Sequence, residues 1–138
     1  MPDFDLAIRG GTIATASDTF RADVGIRGGR IAAVSDRVES AARVVDASGL
    51  LVLPGGIDSH VRVSQPTGPG IVMADDFASA TAAAAAGGTT CVMPFALQMR
   101  GESPRACVDA YVAKAAGECH VDVAFHLIVS DPTPEVLG

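Results

Sequence analysis

Leu53-Pro54-Gly55-Gly56-Ile57-Asp58-Ser59-His60-Val61-Arg62 decides how this chain folds. Residues 50–53 are apolar and read as a buried strand, Pro54-Gly55-Gly56 as a turn, and residues 57–63 as a second strand. Side chains alternate across a strand, so Asp58, His60 and Arg62 fall on one face. An apolar strand thus leads into a carboxylate, an imidazole and a guanidinium standing side by side.

Downstream, strand and helix alternate. Asp75 and Asp76 put negative charge at the positive end of a helix that continues from Phe77 through the alanines to Ala86, where Gly87-Gly88 stops it. Residues 89–95, β-branched and apolar, read as a strand and residues 98–102 as a loop. Ser103 caps a second helix, with Pro104 at its first position, that runs to about Ala116 before Gly117. Residues 121–129 form a third strand, and a helix start follows Pro132 and Pro134. Apolar strands joined through helices by short links imply a parallel sheet.

Upstream, the chain is a β module. Residues 5–14 and 23–32 are near copies, each an apolar run, a Gly-Gly pair and another apolar run. Two β-hairpins are expected, because Gly-Gly tolerates the positive φ angles of a two-residue turn. Neither glycine pair leads into a helix, which excludes a phosphate-cradling loop. Residues 43–46 add a short strand, and Ala47-Ser48-Gly49 turns the chain into residues 50–53.

These residues carry a family resemblance. Residues 54–62 resemble the first metal-binding strand of the amidohydrolase superfamily, whose pattern is Pro-Gly-x-Ile-Asp-x-His-x-His at the first strand of a (β/α)8 barrel. Met73-Ala74-Asp75-Asp76-Phe77, the alanine run to Gly87-Gly88-Thr89-Thr90, and Phe125-His126-Leu127 are similar to the cyclic amidases of the dihydropyrimidinase and D-hydantoinase group. The likeness extends from Asp5 to about Gly138. It implies an α/β fold: residues 1–54 as the N-terminal strands of a small β-sandwich, and residues 55–138 as the first βα units of a TIM-like barrel. With 138 residues against the roughly 250 of a whole barrel, the barrel is expected to be incomplete in this chain. Three parallel strands leave an open edge, so association with the missing remainder or with other copies is expected.

The resemblance also implies an activity, hydrolysis of a cyclic amide such as a hydantoin or dihydropyrimidine ring, using divalent metal, two zinc ions in the family. The histidine pair of the first strand, a carboxylated lysine, two later histidines and a late aspartate hold those metals. Of that set only His60 is matched, and no catalytic residue falls within this chain. Asp58 is a possible orienting neighbour of His60. Arg62 stands where the second histidine belongs, and a protonated guanidinium has no lone pair to offer a metal. Two readings of Arg62 follow, a depleted or inactive metal site and a structural salt bridge to Asp58 or Asp75. The loop of residues 64–70 corresponds to one that closes over the ring substituent, making Gln65, Ile71 and Met73 candidate wall residues; as an ordinary βα loop it would have no such role. Since chemistry in such barrels sits at the C-terminal strand ends, residues 94–98, His126 and Asp131 are also placed near the site. Mid-strand between Phe125 and Leu127, His126 reads as buried and hydrogen-bonded. His120 reads as the strand entry and Tyr111 as a helix residue.

Two non-enzymatic readings stay beside this one: a scaffold relative of the dihydropyrimidinases that has lost its ligands, and an inactive truncated fragment. The formal charge of −6 and the absence of a basic run argue against nucleic acid and anionic membrane surfaces as partners. No stretch approaches the ~18 apolar residues of a membrane helix, and residues 1–20 lack a signal-peptide pattern, so a cytoplasmic protein is expected. Cys91, Cys107 and Cys119 lack paired spacing and read as reduced thiols. The resemblance implies a homo-oligomer, commonly a tetramer.

Overall fold

The computed structural model describes residues 2–134, which divide into two compact units, Met1–Pro54 and Gly55–Gly138. The helix start expected beyond Pro134 lies outside the described residues.

The first unit holds two sheets. One has the order β5-β4-β1-β6, from β1 (Phe4–Arg9), β4 (Asp23–Arg27), β5 (Arg30–Ser35) and β6 (Ala41–Asp46). The other has the order β3-β2-β7, from β2 (Thr12–Ala14), β3 (Thr19–Arg21) and β7 (Leu51–Val52). Ile13 of β2 and Val24 of β4 are buried in one cluster with Ala22, and Ile8, Ile26 and Val52 pack against it, so both sheets share a core.

The near-identical halves of this unit fold differently. Gly28 and Gly29 both have positive φ, 58° and 72°, and β4 and β5 pair around them as the expected antiparallel hairpin. Gly10-Gly11 makes no hairpin. Only Gly10 has positive φ, and β1 and β2 do not pair: β1 lies between β4 and β6, whereas β2 lies between β3 and β7. The glycines carry the chain from one sheet to the other, where a Cβ on Gly11 would meet Val52 Cγ2 at 2.6 Å and Ala47 Cβ at 3.1 Å. Buried Asp23 fixes this crossing by accepting from the Gly10 N–H at 2.9 Å and the Val38 N–H at 3.0 Å.

The expected buried strand at residues 50–53 is shorter and more open than its sequence suggests. Only Leu51–Val52 is strand, paired with β2 alone, and Leu50, Leu51 and Leu53 are 60%, 63% and 62% exposed. As an edge strand it is covered on one side only. Leu53 and Ile31 line an apolar cleft of about 280 Å³ with Ile8, Ile13, Phe20 and Val24.

The second unit alternates strand and helix as expected: β8 (Gly56–Val61), α1 (Phe77–Ala86), β9 (Thr89–Leu97), α2 (Pro104–Ala115), β10 (Asp122–Val123) and β11 (His126–Ile128). All strand pairs are parallel, with β9 between β8 on one side and β10 and β11 on the other. Residues 121–129 are therefore not one continuous strand. β10 and β11 nonetheless keep the same register on β9, and the Ala124 N–H still reaches the Val92 carbonyl across the break.

Both helices start on side-chain caps. Asp76 accepts from the Ser79 N–H at 2.8 Å, which holds its carboxyl below the usual range, while Ser79 Oγ accepts from the Asp76 N–H at 3.2 Å. Ser103 caps α2 with Pro104 at its first turn. Alternate residues of β9, Val92, Pro94 and Ala96, are buried, and Ala96 packs beneath Phe77 of α1 and Cys107 and Tyr111 of α2. Val63, which follows β8, completes this core. The three thiols are free, and burial pushes those of Cys107 and Cys119 upward. Among the described residues no helix is long and apolar enough to cross a membrane.

Candidate functional site at the strand ends

The opposite face of β9 carries Phe95, and the site is built around that ring. Flanking strands bring two imidazoles to it: the His60 ring from β8 at 4.6 Å between centroids, tilted by 59°, and the His126 ring from β11 at 4.9 Å, stacked at 29°. The Arg62 guanidinium lies 6.0 Å from the same ring centre. Two residues of β8 and its end, His60 and Arg62, and one of β11, His126, thus converge on one aromatic platform at the ends of parallel strands.

An irregularity in β8 shapes this convergence. Asp58 pairs with Val92 but Val61 with Pro94, so β8 spends one residue more than β9 over this interval. Pro94 has no N–H to donate, and the bulge falls opposite it. The bulged segment presents the Ser59 carbonyl, which receives His126 Nε2 at 3.1 Å. His126 is hydrogen-bonded as expected but only half-buried, and it bridges the two strands that flank β9.

Asp58 does not orient the His60 imidazole. Its Oδ1 accepts from the His60 backbone N–H at 3.0 Å, folding the carboxylate back onto its own strand. Arg62 forms no salt bridge to Asp58 or Asp75. Its Nη1 donates to Gln65 Oε1 at 3.2 Å, and the ion pair found among the described residues is Arg37 with Glu39. Asp75 instead accepts from Ser79 Oγ at 2.9 Å.

Gln65 organises the loop after β8. Its Nε2 donates to the Phe95 carbonyl at 2.7 Å and its backbone N–H to Met73 Sδ at 3.1 Å. Ser64, at φ 52°, turns the chain into this loop, and Lys114 Nζ holds the Ser64 carbonyl at 3.3 Å. Gln65, Ile71 and Met73 do come together, lining a cleft of about 370 Å³ with Ser64, Thr67 and Asp75.

Gln98 directly follows β9, at the strand ends. It is buried, donates through Nε2 to the Glu102 carbonyl at 2.8 Å, and accepts at Oε1 from the N–H groups of Ser130 and Asp131 at 3.0 and 3.2 Å. Asp131 in turn accepts from the Gly101 N–H at 3.0 Å. These bonds tie the loop after β9 to the loop after β11. His120 is exposed, its N–H donating to Thr81 Oγ1, and Tyr111 is buried in the helix-side core.

As a metal centre the described residues are poor. No group of three or more His, Cys, Asp or Glu able to hold an ion occurs among them. His60 offers one imidazole, Asp58 is engaged by backbone, and Arg62 brings a positive charge. A divalent ion does not fit these residues by themselves.

No protein-family model matches the chain. A D-hydantoinase of Streptomyces coelicolor is 48% identical over 136 residues, 94% of this chain and 29% of that relative. The solved structure of a D-hydantoinase superposes with a TM-score of 0.90 at 41% identity, over 97% of this chain and 29% of that one. The chain matches the N-terminal part of the D-hydantoinases and dihydropyrimidinases. A D-hydantoinase of Geobacillus stearothermophilus is 44% identical over 131 residues, and the crystal structure of a dihydropyrimidinase from Brevibacillus agri gives a TM-score of 0.89 over 95% of this chain. The hydantoinase-like chain spans less than a third of these relatives' lengths, 28% or 29% in each.

Proposed function

We propose that this chain forms the opening of a hydrolase that cleaves cyclic amides of the hydantoin or dihydropyrimidine type. Its first unit is read as the N-terminal part of a β-sandwich and its second as the first βα units of a (β/α)8 barrel. The observation that carries the reading is similarity to D-hydantoinases over nearly the whole chain, including the strand that ends in His60.

In this reading the C-terminal ends of β8, β9 and β11 face the substrate, as strand ends do in barrel enzymes. The loop held by Gln65 forms one wall, with Ile71 and Met73 against the ring substituent. His60 is the candidate ligand for a divalent ion, with zinc the ion the resemblance implies. The other ligands must come from outside the described residues, because those present do not fit a metal. The reading includes assembly as a homo-oligomer, which the resemblance implies, and a cytoplasmic location.

A second reading is carried by Arg62: a non-catalytic relative that keeps the framework. Elemental analysis of chelator-treated, re-metallated protein that carries the remaining barrel strands, together with a hydantoin and dihydrouracil ring-opening assay, separates the two. Bound metal with ring opening supports the hydrolase. Neither metal nor turnover, in protein shown to be folded, overturns it in favour of the scaffold.

A further inference from the structure

The misfit between Arg62 and a metal site has a chemical counterpart. The Gln65 amide is fixed at both ends, Nε2 on the Phe95 carbonyl and Oε1 on the Arg62 guanidinium, so it tethers Arg62 to the strand ends. The nearby carboxylates are otherwise engaged: Asp58 by the His60 N–H, Asp75 by Ser79 Oγ, and Asp76 as the cap of α1. Among the described residues none is in ion-pair contact with Arg62. A guanidinium has five N–H donors in a planar fork, and Gln65 takes one of them. What remains is an exposed, tethered cation beside the Phe95 ring, against which the His60 ring also packs.

We propose that Arg62, positioned by Gln65 against Phe95, binds an oxyanion, a carboxylate or phosphate group, at the end of β8. Such a group is planar or tetrahedral with paired oxygens and accepts two parallel N–H bonds from one guanidinium. The tether lowers the ordering cost of binding, since the side chain is already held. The proposal goes beyond the hydrolase reading and concerns binding, which can be measured whether or not any ring is opened.

The test is titration of the full chain with inorganic phosphate and, separately, acetate, following the Arg62 Nε–H and the backbone amides of residues 60–65 by NMR. Saturable shifts with either anion are expected, weakened roughly tenfold or more in Arg62→Met. Arg62→Lys, which keeps the charge without the fork, falls between the two. Gln65→Leu weakens binding severalfold by releasing the tether. Arg105→Met, at an exposed arginine on α2, leaves binding unchanged. Response to phosphate alone identifies a phosphate-bearing ligand, and response to both a site for oxyanions in general. Shifts that do not saturate, or that persist in Arg62→Met, overturn the proposal.

Discussion

His126 Nε2 lies 3.1 Å from the Ser59 carbonyl, joining the two strands that flank β9 across the face of Phe95. The contact exists because β8 bulges opposite Pro94 and turns a carbonyl out of regular pairing.

His126→Phe keeps an aromatic ring over Phe95 but removes the bond to Ser59. A loss of about 1 kcal/mol is expected, the usual net value of one hydrogen bond. His126→Ala loses the stack as well and is expected to cost more, by roughly a further 0.5–1.5 kcal/mol. Urea unfolding of both variants checks the order; equal losses would mean that the ring stack adds nothing.

Asp23 gives the first unit a dependence on pH. The Val38 N–H, then the Gly10 N–H, holds its carboxyl below the ordinary 3.8. Between the lowered value and 3.8 the unfolded chain binds more protons than the folded one, so stability rises with pH there. The contribution is complete above the ordinary value and disappears as pH falls through the folded one. Asp23→Asn, which turns an amide donor toward one of those N–H groups, is expected to cost about 1–3 kcal/mol at neutral pH and to flatten the acid limb of the stability curve. Denaturation between mildly acidic and strongly acidic buffers tests both.

Gln98→Leu preserves volume while stranding the N–H groups of Ser130 and Asp131. Ser130 is exposed and Asp131 half-buried, so water takes up part of the lost bonding, and a destabilisation of about 1 kcal/mol, the usual net value of a hydrogen bond, is expected. Amide exchange at Ser130 and Asp131 accelerates more than at Val92 in the middle of β9. Uniform acceleration would mean that Gln98 serves the whole core and not these two loops.

The glycine pairs separate two kinds of constraint. Gly29→Ala meets no atom within 4 Å, so its cost is conformational, about 1–2 kcal/mol for a side chain at positive φ. Gly11→Ala has no such φ penalty but drives its methyl into Val52 and Ala47. Truncating Val52 to Ala is expected to rescue Gly11→Ala in part and to leave Gly29→Ala unaided, a difference that a double-mutant cycle reads directly.

What was legible in the sequence was local. The caps at Asp76 and Ser103, the stop at Gly87-Gly88 and the turn at Gly28-Gly29 each depend on a few adjacent residues, and each appears where the residues place it. The His60 strand was legible for the same reason. The partners of its polar groups were not. Arg62 meets Gln65 and the Phe95 ring because the following loop folds back, and Asp58 turns to its own backbone because the strand bulges. Alternation along residues 89–97 could have singled out Phe95 as facing away from the helices, but that two imidazoles would meet on it depends on strand order. The repeat at residues 5–14 misled for a related reason: identical turn chemistry gave way to the pairing of β1 with β6 and of β2 with β7, strands far along the chain.

The passage of Gly10-Gly11 between sheets sets where this chain can change length during evolution. The loop at Gly28-Gly29 joins neighbours in one sheet and stands in open space, so added residues there lengthen a tip and disturb nothing else. One residue inserted at Gly10-Gly11 would slide β2 against both β3 and β7 or β1 against both β4 and β6. Of two peptides that look alike, one is free to drift and the other is locked to its length.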